Sequence, residues 1–167
     1  MAHAAVHLAK KYGGDAKKAE LAGWIHDCAK ELKLDEMRAV VKDAGLALDE
    51  HMLASRALLH GPAGSILART RYDVDDEEIA GAIFYHTTGR PDMTLMEKII
   101  FLADYIEPQR DFPGVEELRR LAEIDLDRAL IASYDCTLRH LMDEGDFIYE
   151  LTFQGRNNLV LRLKDHR

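Results

Sequence analysis

Apolar residues recur at helical spacing along most of this chain, and the polar residues between them carry signals that start and end helices. An Ala-rich pattern over residues 2–11 stops at Tyr12-Gly13-Gly14, where glycine can adopt the left-handed conformation that closes a helix. Asp15 is then a suitable N-cap for a second helix, expected over residues 16 to about 30. This opening segment therefore predicts two consecutive helices.

Breaker and capping residues divide the middle of the chain into further helices. A third helix is expected over about 34–44. A fourth is expected from about residue 49 to His60-Gly61-Pro62, where glycine and proline predict a break and the start of another helix. A cap at Asp75 is expected to open the apolar helix that delivers His86.

The second half of the chain continues the helical pattern. Thr94 and Glu97 have the spacing of a capping box, and the helix that they open should end before Pro108. Two more helices are expected over about 114–123 and about 125–144.

The final stretch, residues 147–163, has some β character but no second strand signal to pair with, so we expect an irregular or helical tail. The whole pattern predicts an all-α fold and a single helical-bundle domain over residues 1–167, with a helical core over about 1–145 and a C-terminal tail over about 146–167. Four apolar residues of the tail could cover a neighbouring subunit in a homodimer: Phe147, Ile148, Leu151 and Phe153.

Composition narrows the class of protein. With 167 residues, 47% of them apolar, the chain can form one domain with a substantial core. A formal net charge of -8 argues against a nucleic-acid-binding surface. No apolar run approaches the roughly 20 residues of a membrane span, and the first residues lack a secretory signal, so we expect a cytoplasmic protein with no membrane partner. Cys28 and Cys136 lack CxxC partners and suggest neither a disulfide framework nor a thiolate zinc site.

Ionisable residues interrupt apolar helical segments at three places, and each place has a structural explanation when taken alone. His26-Asp27 could be a helix-end surface pair, His60 and His86 could be satisfied core or helix-end histidines, and Asp104 could pair with an arginine. Together they supply the nitrogen and oxygen ligands that suit zinc, iron or manganese, which makes metal binding the better explanation. We therefore expect the Asp104 carboxylate to lie within about 6 Å of the His26 or Asp27 side chain.

These residues resemble the motifs of the HD superfamily, and within it the YqeK family of symmetrical dinucleoside tetraphosphate hydrolases. The similarity covers nearly the whole chain, and the run that ends at Arg110 is its most specific part. The matching motifs are His26-Asp27-x-x-Lys30, Leu59-His60-Gly61, His86-Thr87-Thr88-Gly89, Lys98-Ile99-Ile100-Phe101-Leu102-Ala103-Asp104-Tyr105-Ile106-Glu107-Pro108-x-Arg110 and Arg156-Asn157. The resemblance implies an all-α HD domain, a divalent metal centre, and hydrolysis of the small molecule diadenosine tetraphosphate to two ADP.

The resemblance also implies roles for individual residues. The expected metal ligands are His26, Asp27, His60, His86 and Asp104. We expect one or two divalent ions, with iron first and zinc, manganese or cobalt as alternatives. Asp27 could also orient the attacking water, and Lys30 and Arg110 are expected to meet negative charge on the phosphoryl group. The expected substrate contacts are His60, His86, Thr87, Thr88, Gly89, Arg110, Arg156 and Asn157.

One position departs from the family pattern. The pattern has an earlier histidine ligand about 29 residues before the His-Asp pair, which in a gapless register falls just before Met1. His3 and His7 follow that position by six and ten residues, which rotates them by about 240° and 280° around the helix axis at 100° per residue. They lie on other faces of the first helix, so we expect neither to replace the earlier ligand. We therefore expect the chain to be short at its N-terminus and to bind metal with one ligand fewer.

Two alternative functions stay open at this level. Another HD-type nucleotide phosphatase or phosphodiesterase would use the same metal ligands, because the scaffold fixes the metal more firmly than the substrate. A non-catalytic nucleotide-binding regulatory module would bind nucleotide without metal-stimulated turnover.

Overall fold

The structure, a computed structural model, describes residues 1–165, and every regular element among them is a helix. The all-α prediction is confirmed. The ten helices of the described residues are α1 (Ala2–Tyr12), α2 (Ala16–Ile25), α3 (Leu34–Asp43), α4 (Glu50–Ala54), α5 (Arg56–Tyr72), α6 (Glu77–Tyr85), α7 (Leu95–Ile106), α8 (Val115–Ala122), α9 (Leu126–Glu144) and α10 (Glu150–Asp165).

Several predicted helix ends are confirmed, with the expected hydrogen bonds. Gly13 closes α1 in the left-handed conformation, with φ 79°, and its N–H donates to the Ala9 carbonyl. The Asp15 carboxylate accepts from the first backbone N–H groups of α2. Thr94 and Glu97 form the capping box that begins α7. These local rules hold because each cap satisfies N–H or C=O groups that the helix itself leaves unpaired.

The predicted break at His60-Gly61-Pro62 is wrong, because α5 runs through all three residues. The break lies earlier, at Ser55, whose backbone is extended and whose hydroxyl caps the Leu58 N–H. Pro62 removes one hydrogen bond of the helix. The neighbouring small residues are nevertheless buried against α6, and this packing keeps α5 continuous. His60 therefore lies inside a helix and not at its end.

Two other helix ends also differ from the prediction. The N-cap of α6 is Asp76 and not Asp75, with its carboxylate accepting from two backbone N–H groups of the first turn. Helix α2 ends at Ile25, five residues earlier than expected. Tighter turns follow, in which the N–H groups of Cys28 and Lys30 donate to carbonyls three residues back. His26 and Asp27 thus lie on a turn, where neighbouring side chains need not follow helical spacing.

Helix α7 is at the centre of the packing. Most of its residues are buried, and it contacts α1, α2, α6, α8 and α9. The buried apolar residues among them belong to the first of two apolar clusters, which also includes Ile25. A second apolar cluster involves α3, α4 and α5 and includes Ala29 and Leu59. His26 follows Ile25 of the first cluster, and His60 follows Leu59 of the second. His26 and His60 are thus each placed by a buried neighbour in one of the two clusters.

The C-terminal tail is helical where the structure describes it, and the last two residues, 166 and 167, lie outside that part. Helix α10 packs on α9. Leu151 packs against the second cluster, whereas Phe147 and Phe153 are 60% and 42% exposed. Among the described helices, none is both long and apolar enough to cross a bilayer.

Gly61 allows α5 to approach α6 closely. A Cβ at this position would lie 2.6 Å from the Phe84 carbonyl oxygen and 3.2 Å from that of Ile83. We expect Gly61→Ala to lower the free energy of unfolding by about 1–3 kcal/mol, as overpacking does, even though alanine is the better helix former by about 1 kcal/mol. Urea denaturation measures this change. A more stable variant would show that helix propensity outweighs the close approach.

Candidate metal centre

Five ionisable side chains from distant parts of the chain meet in one place. His26 and Asp27 come from the turn after α2, His60 from α5, His86 from the end of α6, and Asp104 from α7. The His26 Nε2 lies 3.7 Å from Asp104 Oδ1, inside the expected limit. The other short separations are His26 Nε2 to Asp27 Oδ2 at 3.4 Å, His60 Nε2 to Asp27 Oδ1 at 3.3 Å, His86 Nε2 to Asp27 Oδ1 at 3.4 Å and His60 Nε2 to His86 Nε2 at 2.9 Å.

The three histidines are held in the same way. In each, Nδ1 is within hydrogen-bond distance of the carbonyl oxygen three residues earlier, and Nε2 points to the other ligands. These contacts are His26 to Gly23 at 3.0 Å, His60 to Ala57 at 2.9 Å and His86 to Ile83 at 2.7 Å. A carbonyl acceptor at Nδ1 fixes the proton there and leaves Nε2 with a free lone pair, which is the usual support for a metal-ligating histidine.

Two buried polar atoms at this centre make no hydrogen bond to any described residue. They are His26 Nε2 and Asp27 Oδ1. Buried polar atoms are costly without a partner, and a pair of this kind needs an explanation such as an ion. One ligand atom each from His26, Asp27 and His86 lies within 4.8 Å of the others, a spacing at which one cation could contact all three. The His/Asp group can therefore hold a metal ion.

The electrostatics favour the protonation states that bind a cation. Burial alone would raise the pKa of Asp27, but contacts from His60, His86 and Lys30 hold that pKa well below its usual range. Burial acts the same way on Asp104, and His26 and Arg110 outweigh it, so its pKa is also lowered. Burial lowers the pKa of His86. Anionic carboxylates and a neutral imidazole are the forms that coordinate metal.

Lys30 and Arg110 contact the outer oxygens of the two carboxylates. Lys30 Nζ donates to Asp27 Oδ2 at 2.7 Å. Arg110 donates to Asp104 Oδ2 at 2.7 Å and to the Asp104 carbonyl oxygen at 2.8 Å. The Oδ1 atoms face the histidines. Both cationic side chains are about half exposed, at 51% and 41%, and so lie at the rim of the centre.

The segment after His86 contributes one side chain to the centre. Thr87 Oγ1 lies 3.3 Å from both His60 Nε2 and His86 Nε2. The Thr88 hydroxyl is buried and donates to the Gly89 carbonyl. Gly89 has φ 61°, and a Cβ there would overlap the Tyr134 hydroxyl, so glycine is needed for packing. Of this motif, only Thr87 reaches the histidines directly.

The remaining candidates lie in other surroundings. Arg156 donates to Asp135 on α9 and to its neighbour Asn157, and no described contact joins either residue to the five candidate ligands. His3 and His7 are exposed, and His7 Nε2 lies 2.6 Å from Glu123 Oε1. The histidines of α1 are therefore turned away from the centre.

Sequence reasoning considered an arginine partner for Asp104 only as an alternative to metal binding, and it named no cationic partner for Asp27. Lys30 and Arg110 were expected to meet phosphate, whereas in the structure they also bind the ligand carboxylates. The i,i+3 spacing of Asp27 and Lys30 was a signal for the first of these pairs. Arg119 was given no role, although its guanidinium contacts the turn that carries Arg110.

Comparisons with known proteins place this chain in a family. The HD domain family matches residues 1–109. Proteins named symmetrical bis(5'-nucleosyl)-tetraphosphatase are similar over most of the chain, with 45% identity over 160 residues in Halalkalibacterium halodurans and 46% over 157 residues in Bacillus subtilis. These matches cover 96% and 93% of this chain and 85% and 83% of the relatives.

A solved structure agrees with this similarity. A crystal structure from Clostridium acetobutylicum, described as a predicted HD superfamily hydrolase involved in NAD metabolism, superposes with a TM-score of 0.93. It is 45% identical, and the match covers 96% of this chain and 85% of that one. The chain therefore belongs to the HD domain family, within the group whose relatives are named symmetrical bis(5'-nucleosyl)-tetraphosphatases.

Proposed function

We propose that this chain is a metal-dependent hydrolase that cleaves diadenosine tetraphosphate symmetrically into two ADP. The observation that carries the proposal is the convergence of three histidine Nε2 atoms and two carboxylates, with His26 Nε2 and Asp27 Oδ1 left unpartnered among the described residues. The activity named for the relatives supports this substrate. Symmetrical cleavage means that water attacks one of the two central phosphorus atoms and the bond to the oxygen between them breaks.

The donor set fits one or two divalent ions. Asp27 lies between His26 on one side and the pair His60 and His86 on the other, so these residues together would hold the ion or ions. Mixed imidazole and carboxylate ligands suit iron, which is our first choice, and also zinc, manganese or cobalt. When bound, such an ion supplies Lewis-acid polarisation of phosphate oxygens and a lower pKa for water beside it.

The chain's own residues supply the remaining chemistry. Asp27 Oδ1 can accept a hydrogen bond from the attacking water and orient it toward phosphorus. Lys30 and Arg110 keep further N–H donors beyond those that bind the carboxylates, and these can meet the negative charge that develops on the leaving ADP. Thr87 can donate its hydroxyl to a phosphate oxygen.

A surface cavity of about 590 Å³ adjoins Arg110 in the loop between α7 and α8. Pro108 and Phe112 line it beside charged side chains, so it offers both apolar surface and donors to a nucleoside. Contacts of Thr88, Gly89, Arg156 and Asn157 with the nucleotide remain predictions.

Three further expectations also remain predictions. The acidic net charge supports a small-molecule partner over nucleic acid. Phe147 and Phe153 are the exposed tail residues that a second subunit would cover in a homodimer. The cytoplasmic location expected from the sequence is the third.

Binding of a divalent ion should stabilise the protein, because an ion that binds only the folded chain adds about 2.7 kcal/mol at 100 times its Kd. We expect Mn²⁺ to raise the melting temperature of the wild type and to have little effect on His26→Ala. His140→Ala removes an exposed histidine of α9 and should respond like the wild type. An equal shift in all three proteins would place the ion elsewhere.

Product analysis tests the reaction itself. With diadenosine tetraphosphate and a divalent ion, we expect ADP as the sole nucleotide product by ion-exchange chromatography. Asp27→Asn should lower the rate by at least about 100-fold, since it removes both a ligand and the oxygen that orients water. Asp35→Asn changes an exposed carboxylate on α3 and should leave the rate unchanged. AMP with ATP would indicate asymmetrical cleavage, and nucleotide binding without turnover would indicate a regulatory module.

A histidine placed ahead of Met1 tests the family's earlier ligand position. Ala2 packs directly on Gly23, whose carbonyl holds His26, and the Met1 ammonium lies 3.6 Å from Glu107 Oε2, three residues after Asp104. Residues added ahead of Met1 therefore start close to the residues that carry His26 and Asp104. We expect an extension of α1 with a histidine at the family position to bind Mn²⁺ about 10-fold more tightly and turn over faster than the same extension with alanine.

The histidines already on α1 serve as the comparison for that extension. His3→Ala and His7→Ala should change Mn²⁺ affinity and turnover little, because both side chains are exposed and turned away from the centre. If either change abolishes activity and the extension gives no benefit, the expected register of the first helix is wrong.

A further inference from the structure

The Arg119 guanidinium binds three backbone carbonyls of one turn. Nε donates to the Ile106 carbonyl at 3.0 Å, and Nη2 donates to the carbonyls of Glu107 and Arg110 at 2.8 and 2.9 Å. Nη1 donates to Glu116 one turn earlier on α8. The side chain is 25% exposed. A single side chain of α8 thus spans the connection from the end of α7 to Arg110.

That connection needs an external partner. The last carbonyls of a helix have no N–H donors of their own, and Pro108 supplies none. Within the described connection, the only backbone bond that closes the turn is from the Arg110 N–H to the Glu107 carbonyl, at 3.0 Å. Arg119 binds the Ile106 and Arg110 carbonyls and adds a second bond to the Glu107 carbonyl, and so fixes the path of the chain after α7.

Arg110 is the residue that this path delivers. Its guanidinium binds both the Oδ2 and the backbone carbonyl of Asp104, whose Oδ1 faces His26. The contacts therefore run without interruption from Arg119 to the turn, from the turn to Arg110, and from Arg110 to a carboxylate of the metal centre. Partners of ligating carboxylates orient the ligands and tune metal affinity.

We propose that Arg119 is a positioning residue of the metal centre, which acts by holding the turn 106–110 so that Arg110 fixes the Asp104 carboxylate. The expected effect on cleavage rests on the proposed function, whereas the expected effect on metal affinity does not. The planar guanidinium carries the role, because its forked donors reach three carbonyls at once, whereas a lysine ammonium is a compact charge on a flexible stem.

Arg120 provides a matched control. It is the next residue on the same helix and pairs with Glu117 as Arg119 pairs with Glu116. Its side chain is 73% exposed, and its one side-chain hydrogen bond among the described residues is to Glu117. Substituting Arg120 removes the same charge and the same kind of ion pair from α8, without touching the turn.

The experiment compares Arg119→Gln, Arg119→Lys and Arg120→Gln for Mn²⁺ affinity by calorimetry and for cleavage of diadenosine tetraphosphate. Both Arg119 variants should lose about tenfold in Mn²⁺ affinity and in kcat, as second-sphere changes do. Arg120→Gln should keep its Mn²⁺ affinity within about twofold, as exposed ion pairs contribute little. It serves as the control for Mn²⁺ affinity alone, because Arg120 also lines the surface cavity beside Arg110. Glutamine and lysine should behave alike, since retained charge does not replace the fork.

A double-mutant cycle separates positioning from a general loss of stability. In an Arg110→Gln background, Arg119→Gln should have almost no further effect on Mn²⁺ affinity, because the residue through which it acts is gone. Losses of Mn²⁺ affinity that add fully would overturn the proposal, as would equal effects of Arg119→Gln and Arg120→Gln on Mn²⁺ affinity. If the wild type binds Mn²⁺ without cleaving the substrate, the proposed function fails while the affinity measurements still decide the role of Arg119.

Discussion

The structure depends on one constraint, which is that two largely buried carboxylates need cations or hydrogen-bond donors. Asp27 and Asp104 lie between helices beside three buried imidazoles, and buried negative charge is costly unless cations or donors meet it. Each carboxylate solves this in the same way. Its Oδ2 binds a cationic side chain at the rim and its Oδ1 faces the histidines, while Asp27 Oδ2 also lies beside His26 Nε2. This division neutralises the carboxylates while leaving one oxygen of each directed at the site of an ion.

The positions of the ligands are consequently set by how the helices pack. Each histidine is tied to a carbonyl of its own turn, so its ring cannot move independently of its helix. The separation of the His60 and His86 rings then depends on how closely α5 approaches α6, and the absence of a side chain at Gly61 keeps the two helices close. Asp104 lies on α7, most of whose residues are buried, and Arg110 holds its carboxylate. The contacts that pack the helices therefore also set the geometry of the candidate ligands.

The sequence was a good guide wherever a local rule decides the outcome. Helical periodicity and the caps at Asp15 and Thr94 predicted elements correctly, because these hydrogen bonds form within a few residues. The break predicted at Pro62 failed because burial against α6 outweighs one lost hydrogen bond. The ligand candidates could be named from polar residues in apolar helices. The pairing of Arg110 with Asp104, and the support from Arg119, depend on a turn whose path no local pattern specifies.

The charge of the centre shows why an ion matters for a polyphosphate substrate. The formal charges of Asp27 and Asp104 are cancelled by those of Lys30 and Arg110, and the imidazoles are neutral in the state that binds metal. The protein as a whole carries a formal charge of -8. Protein side chains alone therefore leave this site without a net positive charge to attract phosphate. A divalent cation makes the site locally positive, so metal binding is expected to create the charge that attracts the polyphosphate.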